Sequence, residues 1–369
     1  MPSRIHHLDA LRSFCMLFGI FVHANTFFAD RPFPQVVIAS DFFRMGTFFA
    51  ISGFLVGLVG KKMSASTLIK RRAMALLIPF MTVLILLNPI TNYLIYVRHN
   101  PWMSPGQFFL EGGFRLPAQG NSVWLLHLWF LISLFFFVAA YPLLRWLIRA
   151  RSLGFLAGLL LRVPTWAAVI LIAGGMAFAV LGCRVVFEAV LDPVVGGTHL
   201  EWVVRASMMY LPYFALGIFL EQYRKVFAQF HSISLVGLIV AAAGQWAAMQ
   251  FVADLPAEVR TAVQILAQEF LSVMLIAALF RIAELLMRRA QPVVDLLSQA
   301  MYTIYLLHFF LIYVAGLMLS GFNLGDRALY FAIVLLSAGI GLLVHQCIVI
   351  RSPVMLLLLN GRWPSRRAD

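Results

Sequence analysis

Charged side chains are scarce in this chain. Asp, Glu, Lys and Arg make up only 12% of its 369 residues, whereas hydrophobic residues make up 62%. Soluble domains carry roughly a quarter charged residues and roughly half apolar ones. The mean hydropathy of +0.91 is likewise that of a strongly apolar chain. This composition excludes an ordinary soluble domain and predicts an integral membrane protein.

Cysteine is also rare, and histidine is scattered. The 3 cysteines all fall inside predicted helices, so we expect neither a disulfide framework nor a cysteine-based metal site. The 9 histidines show neither H-x-x-E-H nor H-x3-H spacing. We therefore predict no bound metal and no tightly bound cofactor.

The chain does contain many apolar runs long enough to cross a bilayer. They predict an all-α polytopic bundle of about ten transmembrane helices. Because no segment is left for a separate soluble domain, residues 1–369 form one predicted membrane domain. The predicted helices cover residues 10–28, 42–60, 73–97, 124–148, 164–187, 203–221, 233–252, 261–285, 298–320 and 328–350.

The net charge of +13 is the kind seen in nucleic-acid-binding proteins, but its distribution is not. With the N-terminus inside, about 19 of the 28 Lys and Arg residues fall in inner segments and about seven in outer ones. Such an excess is typical of the cytoplasmic loops of membrane proteins. The charge therefore indicates topology and contact with anionic membrane lipids rather than nucleic acid. Both termini are predicted to be cytoplasmic.

Arg12 and His23 form the most informative pair. In the segment LDALRSFCMLFGIFVHA, eleven helical steps bring both side chains to nearly the same face, about 16 Å apart along the axis. Ionisable groups inside a bilayer are costly and usually functional. The pair predicts a site for a long molecule with its charged end at Arg12 and its reactive end at His23. A neutral imidazole accepts a proton from an attacking hydroxyl; the alternative is a structural histidine bonded to a neighbouring helix.

The second and third predicted helices add further candidates. Arg44 falls near the outer interface, and Ser52 falls near the midplane without the surroundings of a nucleophile elbow. We assign Ser52 to packing or substrate lining. Lys70, Arg71 and Arg72 lie at the cytoplasmic start of the third helix, where they suit the phosphates of a nucleotide-bearing donor. Pattern alone favours ordinary anchoring at the inner surface for these three residues.

Polar residues recur in the later helices. His127 and Trp129 open the fourth helix, either as part of an interfacial aromatic belt or as contacts for an outer-side substrate. Tyr305 and His308 lie near the middle of the ninth helix. There His308 either hydrogen bonds within the bundle or lines a site.

Three charged residues, Arg184, Arg205 and Glu269, fall in the outer halves of the fifth, sixth and eighth helices. Because unpaired charges in hydrocarbon are expensive, we predict that Glu269 pairs with one of the two arginines. Together the three residues are expected to line an aqueous cavity open to the outer face.

These segments together resemble the acyltransferase-3 family of integral membrane acyltransferases. The matching motifs stand in family order: LDALR…H (Leu8 to Arg12, with His23), FFRMGTFFAISGF (Phe42 to Phe54), KRR…IP (Lys70 to Pro79), HLWFL (His127 to Leu131), YLPYFALG (Tyr210 to Gly217) and YTIYLLH (Tyr302 to His308). The second, fourth and fifth motifs look most like the branch that contains the glucans biosynthesis protein C, a succinyltransferase of periplasmic glucans.

The resemblance implies ten membrane helices in the bacterial inner membrane and transfer of an acyl group from cytoplasmic acyl-CoA to a hydroxyl of an extracytoplasmic glycan. It implies that His23 is the catalytic base and that Arg12 takes part in donor binding. One departure concerns the third helix, where the family often has R-x-x-R. Here the residue three positions after Arg72 is Ala75, not a second arginine. Donor phosphates would therefore rely on Lys70 and Arg71.

The leading hypothesis is therefore a transmembrane O-acyltransferase that uses succinyl-CoA or acetyl-CoA and modifies a periplasmic glucan or another polysaccharide. For a succinyl group, Arg44, Arg184 or Arg205 is the expected cation for the free carboxylate. A secondary transporter with a buried His, Arg and Glu pathway is the alternative, although we find no inverted repeat. A scaffold subunit is a third hypothesis. The sequence leaves the oligomeric state open, a homo-oligomer included.

Overall fold

Long apolar segments form helices in this protein because a helix satisfies its backbone amides within its own segment when lipid surrounds it. The computed structural model describes residues 5–111, 124–198, 200–233, 235–252, 254–287 and 291–363. Every regular element in these ranges is helical. The prediction of an all-α polytopic bundle is confirmed.

The helices of the described ranges are numbered in chain order. They are α1 (His6–Ala24), α2 (Pro34–Gly60), α3 (Ala65–Leu86), α4 (Asn88–His99), α5 (Pro105–Phe109), α6 (Trp129–Ile148), α7 (Arg151–Leu160), α8 (Thr165–Val186), α9 (Asp192–Val195), α10 (Glu201–Gln222), α11 (Arg224–Phe230), α12 (Leu235–Phe251), α13 (Ala257–Leu286), α14 (Pro292–Leu319), α15 (Asp326–Val344) and α16 (Pro353–Asn360). Short 3-10 turns follow α1 at Asn25–Phe27 and precede α6 at Leu126–Leu128, and a π-helical turn at His345–Val349 extends α15.

All ten predicted spans fall on helices, but their number stays a prediction. Within the described ranges, eight helical segments are long and apolar enough to cross a membrane, or nine if α3 and α4, which meet at a bend of 47°, form one broken span. Helix α12 has 17 residues. At 1.5 Å per residue it is about 25 Å long, against roughly 30 Å for a bilayer core. The cytoplasmic location of the termini also stays a prediction.

The chain divides into two compact units that interleave in sequence. Unit 1 comprises Met1–Cys15, Ala39–Ile69 and Phe136–Gln291, and unit 2 comprises Met16–Ile38, Lys70–Phe135 and Pro292–Asp369. In unit 1, α8 packs against α10, α11 and α13, and α12 packs against α13. In unit 2, α14 packs against α4, α15 and α16. The single membrane domain predicted for the whole chain is left as a prediction.

Helix α14 lies at the centre of the core of unit 2. Its buried side chains pack with those of α15, of α4 and of the C-terminal end of α1 with the turn that follows it. The core includes Ile20, Ala24, Phe27, Phe28, Ile95, Ala300, Ile304, Phe309, Ile312, Tyr313, Leu329, Tyr330, Ile333 and Val334. Because α14 contacts each neighbour, residues on its successive turns are held against different segments of the chain.

In unit 1, helices α2 and α10 approach each other closely through small residues. A β-carbon at Gly53 would overlap the carbonyl oxygen of Phe214, and one at Gly217 would overlap that of Ala50. Small residues permit such backbone contact between membrane helices. Ser52, beside Gly53, is buried. The contact explains why glycine stands at these positions in the motifs FFRMGTFFAISGF and YLPYFALG.

We predict that Gly217→Ala destabilises the protein, because the added methyl group has no room beside the backbone of α2. Overpacking of this kind costs about 1–3 kcal/mol. The control is Gly175→Ala in α8, where an added β-carbon meets no atom within 4 Å, so alanine is tolerated or slightly favoured. Thermal unfolding of the two purified variants in detergent tests this. Equal melting temperatures would contradict the close approach of α2 and α10.

Candidate active site

Three of the predicted site residues, His23, His127 and His308, come together in unit 2. The ring centres of His23 and His308 are 5.3 Å apart, and those of His127 and His308 are 4.7 Å apart. Neither this cluster nor any other group of His, Cys, Asp and Glu in the described part of the chain is arranged to hold a metal ion. The three imidazoles come from α1, from the turn before α6 and from α14.

His23 lies on the last turn of α1, which is tied to two other helices. Tyr330 of α15 donates its hydroxyl to the carbonyl of Phe21 at 2.7 Å, and Tyr313 of α14 donates to the carbonyl of Thr26 at 2.9 Å. These bonds matter because carbonyls at a helix C-terminus lack intrahelical donors. The His23 side chain itself is half-buried. The imidazole is therefore held in place while part of it stays accessible.

His308 is fixed by a hydrogen bond within α14. Its Nδ1 atom bonds to the backbone carbonyl of Tyr305. Because a carbonyl oxygen only accepts hydrogen bonds, Nδ1 must carry the proton. In the neutral ring, Nε2 then carries the lone pair. The fold thus selects one tautomer of the imidazole that lies against His23.

Tyr305 also holds the turn that carries His127. Its hydroxyl donates to the His127 carbonyl at 2.7 Å, and the two rings meet edge to face at 5.0 Å. His127 is 5% exposed and Trp129 is 9% exposed, whereas Trp124 is 39% exposed. Both side chains are therefore buried in the protein, and the roles predicted for them, an interfacial belt or a substrate contact, stay predictions.

Phe309 also belongs to this cluster, although no pattern in the sequence marks it. Its ring lies 4.9 Å from that of His23 and 5.5 Å from that of His127. Helix geometry predicts its position, because residues 305, 308 and 309 stand at i, i+3 and i+4 and therefore share one face of the helix. A site that includes Tyr305 and His308 therefore includes Phe309.

The basic residues at the start of α3 differ in exposure. Lys70 and Arg71 are exposed, and neither forms an ion pair with any residue in the described ranges. Arg72 is partly buried. Lys70 and Arg71 therefore present cations that no carboxylate within the described ranges neutralises.

Ala75, which stands where the family that the sequence resembles often has a second arginine, has its own contacts. The carbonyl of Ala75 accepts a hydrogen bond from Tyr302 of α14 at 2.9 Å. The backbone of Gly361, at the end of α16, packs closely against Met74 and Ala75. In this protein the second turn of the basic segment is thus covered by α14 and α16.

Three further candidates lie in unit 1. Arg12 pairs with Asp9 at 3.6 Å, one turn earlier on α1. Arg44 donates from Nε to the Ser40 hydroxyl at 2.7 Å. Arg12 and His23 both lie on α1, as the sequence predicts. The roles proposed for Arg12, Arg44 and Ser52 stay predictions.

The predicted pairing of Glu269 with an arginine is wrong. Glu269 accepts a hydrogen bond from the Tyr213 hydroxyl. Each arginine pairs instead with an acidic residue four positions away, Arg184 with Glu188 at 2.7 Å and Arg205 with Glu201 at 2.9 Å. Arg205 also lies 3.7 Å from Asp192 of α9. Residues at i and i+4 of one helix lie close together whatever the packing between helices. Ion pairs within a helix therefore form more readily here than a pair between helices. The aqueous cavity that Arg184, Arg205 and Glu269 are expected to line stays a prediction.

Comparison with known proteins gives a family. A family model described as an acyltransferase domain, that of acyltransferase family 3, matches residues 5–346. This range contains every candidate residue named above. No curated protein and no solved structure matches the chain at a significant level.

We predict that Tyr213→Phe destabilises the protein, because it leaves a partly buried carboxyl oxygen of Glu269 without its donor. Such a loss costs about 1–3 kcal/mol. Arg205→Gln is the control, since it removes an exposed ion pair worth about 1 kcal/mol or less. Melting temperatures in detergent distinguish the two. A larger loss for Arg205→Gln would restore the arginine as the main partner of Glu269.

Proposed function

We propose, from the premise that this chain belongs to the acyltransferase-3 family of membrane acyltransferases, that it transfers a succinyl or acetyl group from cytoplasmic acyl-CoA to a hydroxyl of an extracytoplasmic glycan. A periplasmic glucan is the leading acceptor, and the bacterial inner membrane is the proposed location. The observation that carries the proposal is the imidazole cluster. By the resemblance of its motif, His23 corresponds to the family's catalytic histidine, and it is half-buried and packed against His308 and Phe309.

The chemistry assigned to His23 is general base catalysis. Its ring nitrogen takes the proton of a sugar hydroxyl while the hydroxyl oxygen attacks the carbonyl carbon of the thioester. The new C–O bond gives a tetrahedral intermediate. The C–S bond then breaks, CoA leaves as a thiolate, and the proton on His23 passes to that sulfur. The sum of these steps is an ester and free CoA.

His308 is proposed to position His23. A separation of 5.3 Å between ring centres allows facing nitrogens to come within about 3 Å, a hydrogen-bond distance. We propose that a small rotation of the two rings brings an N–H of His23 to the lone pair on His308 Nε2, which accepts it. That bond leaves the other nitrogen of His23 as the proton acceptor, as the third member of a catalytic triad does for its histidine.

Lys70 and Arg71 are proposed to bind the phosphates of the donor. Both are exposed and lack ion-pair partners among the described residues. Guanidinium groups bind phosphate through two parallel hydrogen bonds, and lysine binds it as a point charge. Because Ala75 supplies no cation, these two residues carry more of the donor contact than they would beside a second arginine.

We expect His23→Ala to lower acyl transfer by 100-fold or more, the usual contribution of a general base. Purified protein in proteoliposomes is supplied with succinyl-CoA or acetyl-CoA and glycans from the bacterial envelope, and released CoA thiol and acylated glycan are measured. His231→Ala is the control, since His231 pairs with Glu284 in unit 1. Near-normal transfer by folded His23→Ala protein would remove His23 from the mechanism, and uptake of glycan without any ester would favour a transporter.

We expect Lys70→Gln and Arg71→Gln each to raise KM for acyl-CoA about 10-fold, because each removes a charge-assisted contact to phosphate. The value of kcat should stay nearly constant, since the contact is the same in the ground and transition states. Arg151→Gln, an exposed residue at the start of α7, is the control. Unchanged KM in both variants would place the donor phosphates elsewhere.

A further inference from the structure

His127 has an unusual environment for a buried polar side chain. Its ring is almost fully enclosed at 5% exposure. The backbone carbonyls of Tyr305 and Leu306 lie near the ring, but neither ring nitrogen forms a hydrogen bond of good geometry with them or with any other described residue. An unsatisfied buried donor or acceptor costs about 1–3 kcal/mol, so it calls for an explanation. A ligand group that hydrogen bonds to this imidazole is one.

The backbone around His127 is held in a strained conformation. Leu126, which precedes it, has φ +44°. This region penalises residues with a β-carbon by about 1–2 kcal/mol. Two side chains hold the turn on either side, since the Asn88 amide donates to the Trp124 carbonyl and the Tyr305 hydroxyl donates to the His127 carbonyl. The position of the ring is therefore imposed by its surroundings, as at sites where strain serves function.

The ring of His127 lies beside the same two residues that flank His23. It meets His308 edge to face at 4.7 Å and lies parallel to Phe309, with an angle of 2° between the planes. His23 contacts both of these residues at 5.3 Å and 4.9 Å. A small group bound at His23 therefore lies within a few ångströms of the His127 ring.

From these observations, and on the basis of the function proposed above, we infer that His127 donates an N–H to the carbonyl oxygen of the bound acyl group. Either neutral tautomer of an imidazole presents one N–H. When the sugar oxygen bonds to the carbonyl carbon, the C=O electron pair moves onto the oxygen, and the His127 hydrogen bond stabilises the resulting oxyanion. When the C–S bond breaks, that pair returns to the carbonyl. The His127 proton is not transferred.

Two other hydrogen-bond donors of the cluster are already committed. The Nδ1 proton of His308 is donated to the Tyr305 carbonyl, and the Tyr305 hydroxyl is donated to the His127 carbonyl. His23 must accept a proton in the same step. His127 is thus the member of the cluster whose N–H has no geometrically good acceptor within the described protein.

The test begins with His127→Phe, which keeps an aromatic ring of similar size and both backbone clamps but removes the N–H. We expect kcat to fall 100- to 1,000-fold, the usual effect of losing one oxyanion donor, with KM for succinyl-CoA or acetyl-CoA changed less than threefold. His127→Asn and His127→Gln place an amide N–H near one or the other imidazole nitrogen, and at least one should recover activity to within about 10-fold. His345→Phe is the control, since His345 is equally buried but bonds to Thr303 at 2.8 Å.

A binding measurement separates this inference from the proposed function. Two unreactive CoA derivatives are compared: a ketone in which CH2 replaces the thioester sulfur, and an S-alkyl CoA without a carbonyl. The native protein should bind the ketone about fivefold more tightly than His127→Phe does, with no difference for the S-alkyl compound. Wild-type kcat in His127→Phe, or an unchanged preference for the ketone, would overturn the role of His127 while leaving His23 untouched. Full activity of His23→Ala would remove the base, but the ketone comparison would still report on His127.

Discussion

The hydrogen bonds from the tyrosine hydroxyls of α14 to backbone carbonyls are the interactions on which the site depends. Tyr302 donates to Ala75 in α3, Tyr305 to His127 before α6, and Tyr313 to Thr26 after α1. Each acceptor lies on a different helix or turn of unit 2. Where lipid and packed side chains exclude water, an unsatisfied carbonyl is costly, so these bonds resist any sliding of the segments along α14. The three imidazoles keep their spacing because their backbones are tied to one helix.

Tyr305 contributes twice to this arrangement. Its hydroxyl holds the His127 carbonyl, and its own carbonyl accepts the Nδ1 proton of His308. One residue therefore fixes the position of one imidazole and the tautomer of another. The motif YTIYLLH contains the hydroxyl donors Tyr302 and Tyr305 together with His308. These residues span fewer than two turns of α14, so this short stretch defines most of the polar geometry of the cluster. A packing role for the tyrosines and a chemical role for the histidines are thus parts of the same structure.

Apolar runs and their spacing predicted the helices well, because hydropathy alone decides which segments are helical in lipid. The members of the histidine cluster were also predictable, since an ionisable residue inside an apolar run stands out. Their mutual contacts were not, because the rotation of each helix about its axis depends on packing with its neighbours. Phe309 was missed for the opposite reason: one phenylalanine among 33 in the chain carries no distinguishing pattern.

The mistaken partner of Glu269 has a related cause. The cost of a charge in lipid predicts that Glu269 has a partner, but it does not predict which residue faces Glu269. Arg184 and Arg205 each pair with an acid four residues away in sequence. Glu269 accepts a hydrogen bond from the Tyr213 hydroxyl. A neutral hydroxyl satisfies a carboxyl oxygen through one short-range bond and needs no second charge in the bundle.

The same preference for neutral partners fits the chemistry proposed for the site. A catalytic histidine in a soluble hydrolase is oriented by a carboxylate, which stabilises the imidazolium. At membrane depth a permanent carboxylate carries a heavy desolvation cost. Here the partner of His308 Nδ1 is a backbone carbonyl, which selects the tautomer without adding charge. In the proposed mechanism charge develops only during the reaction, as imidazolium at His23 and as an oxyanion on the acyl oxygen, and these opposite charges would lie close enough to offset each other. A cluster of neutral rings fixed by carbonyls therefore suits acyl transfer inside a bilayer better than a buried triad with a formal charge at rest.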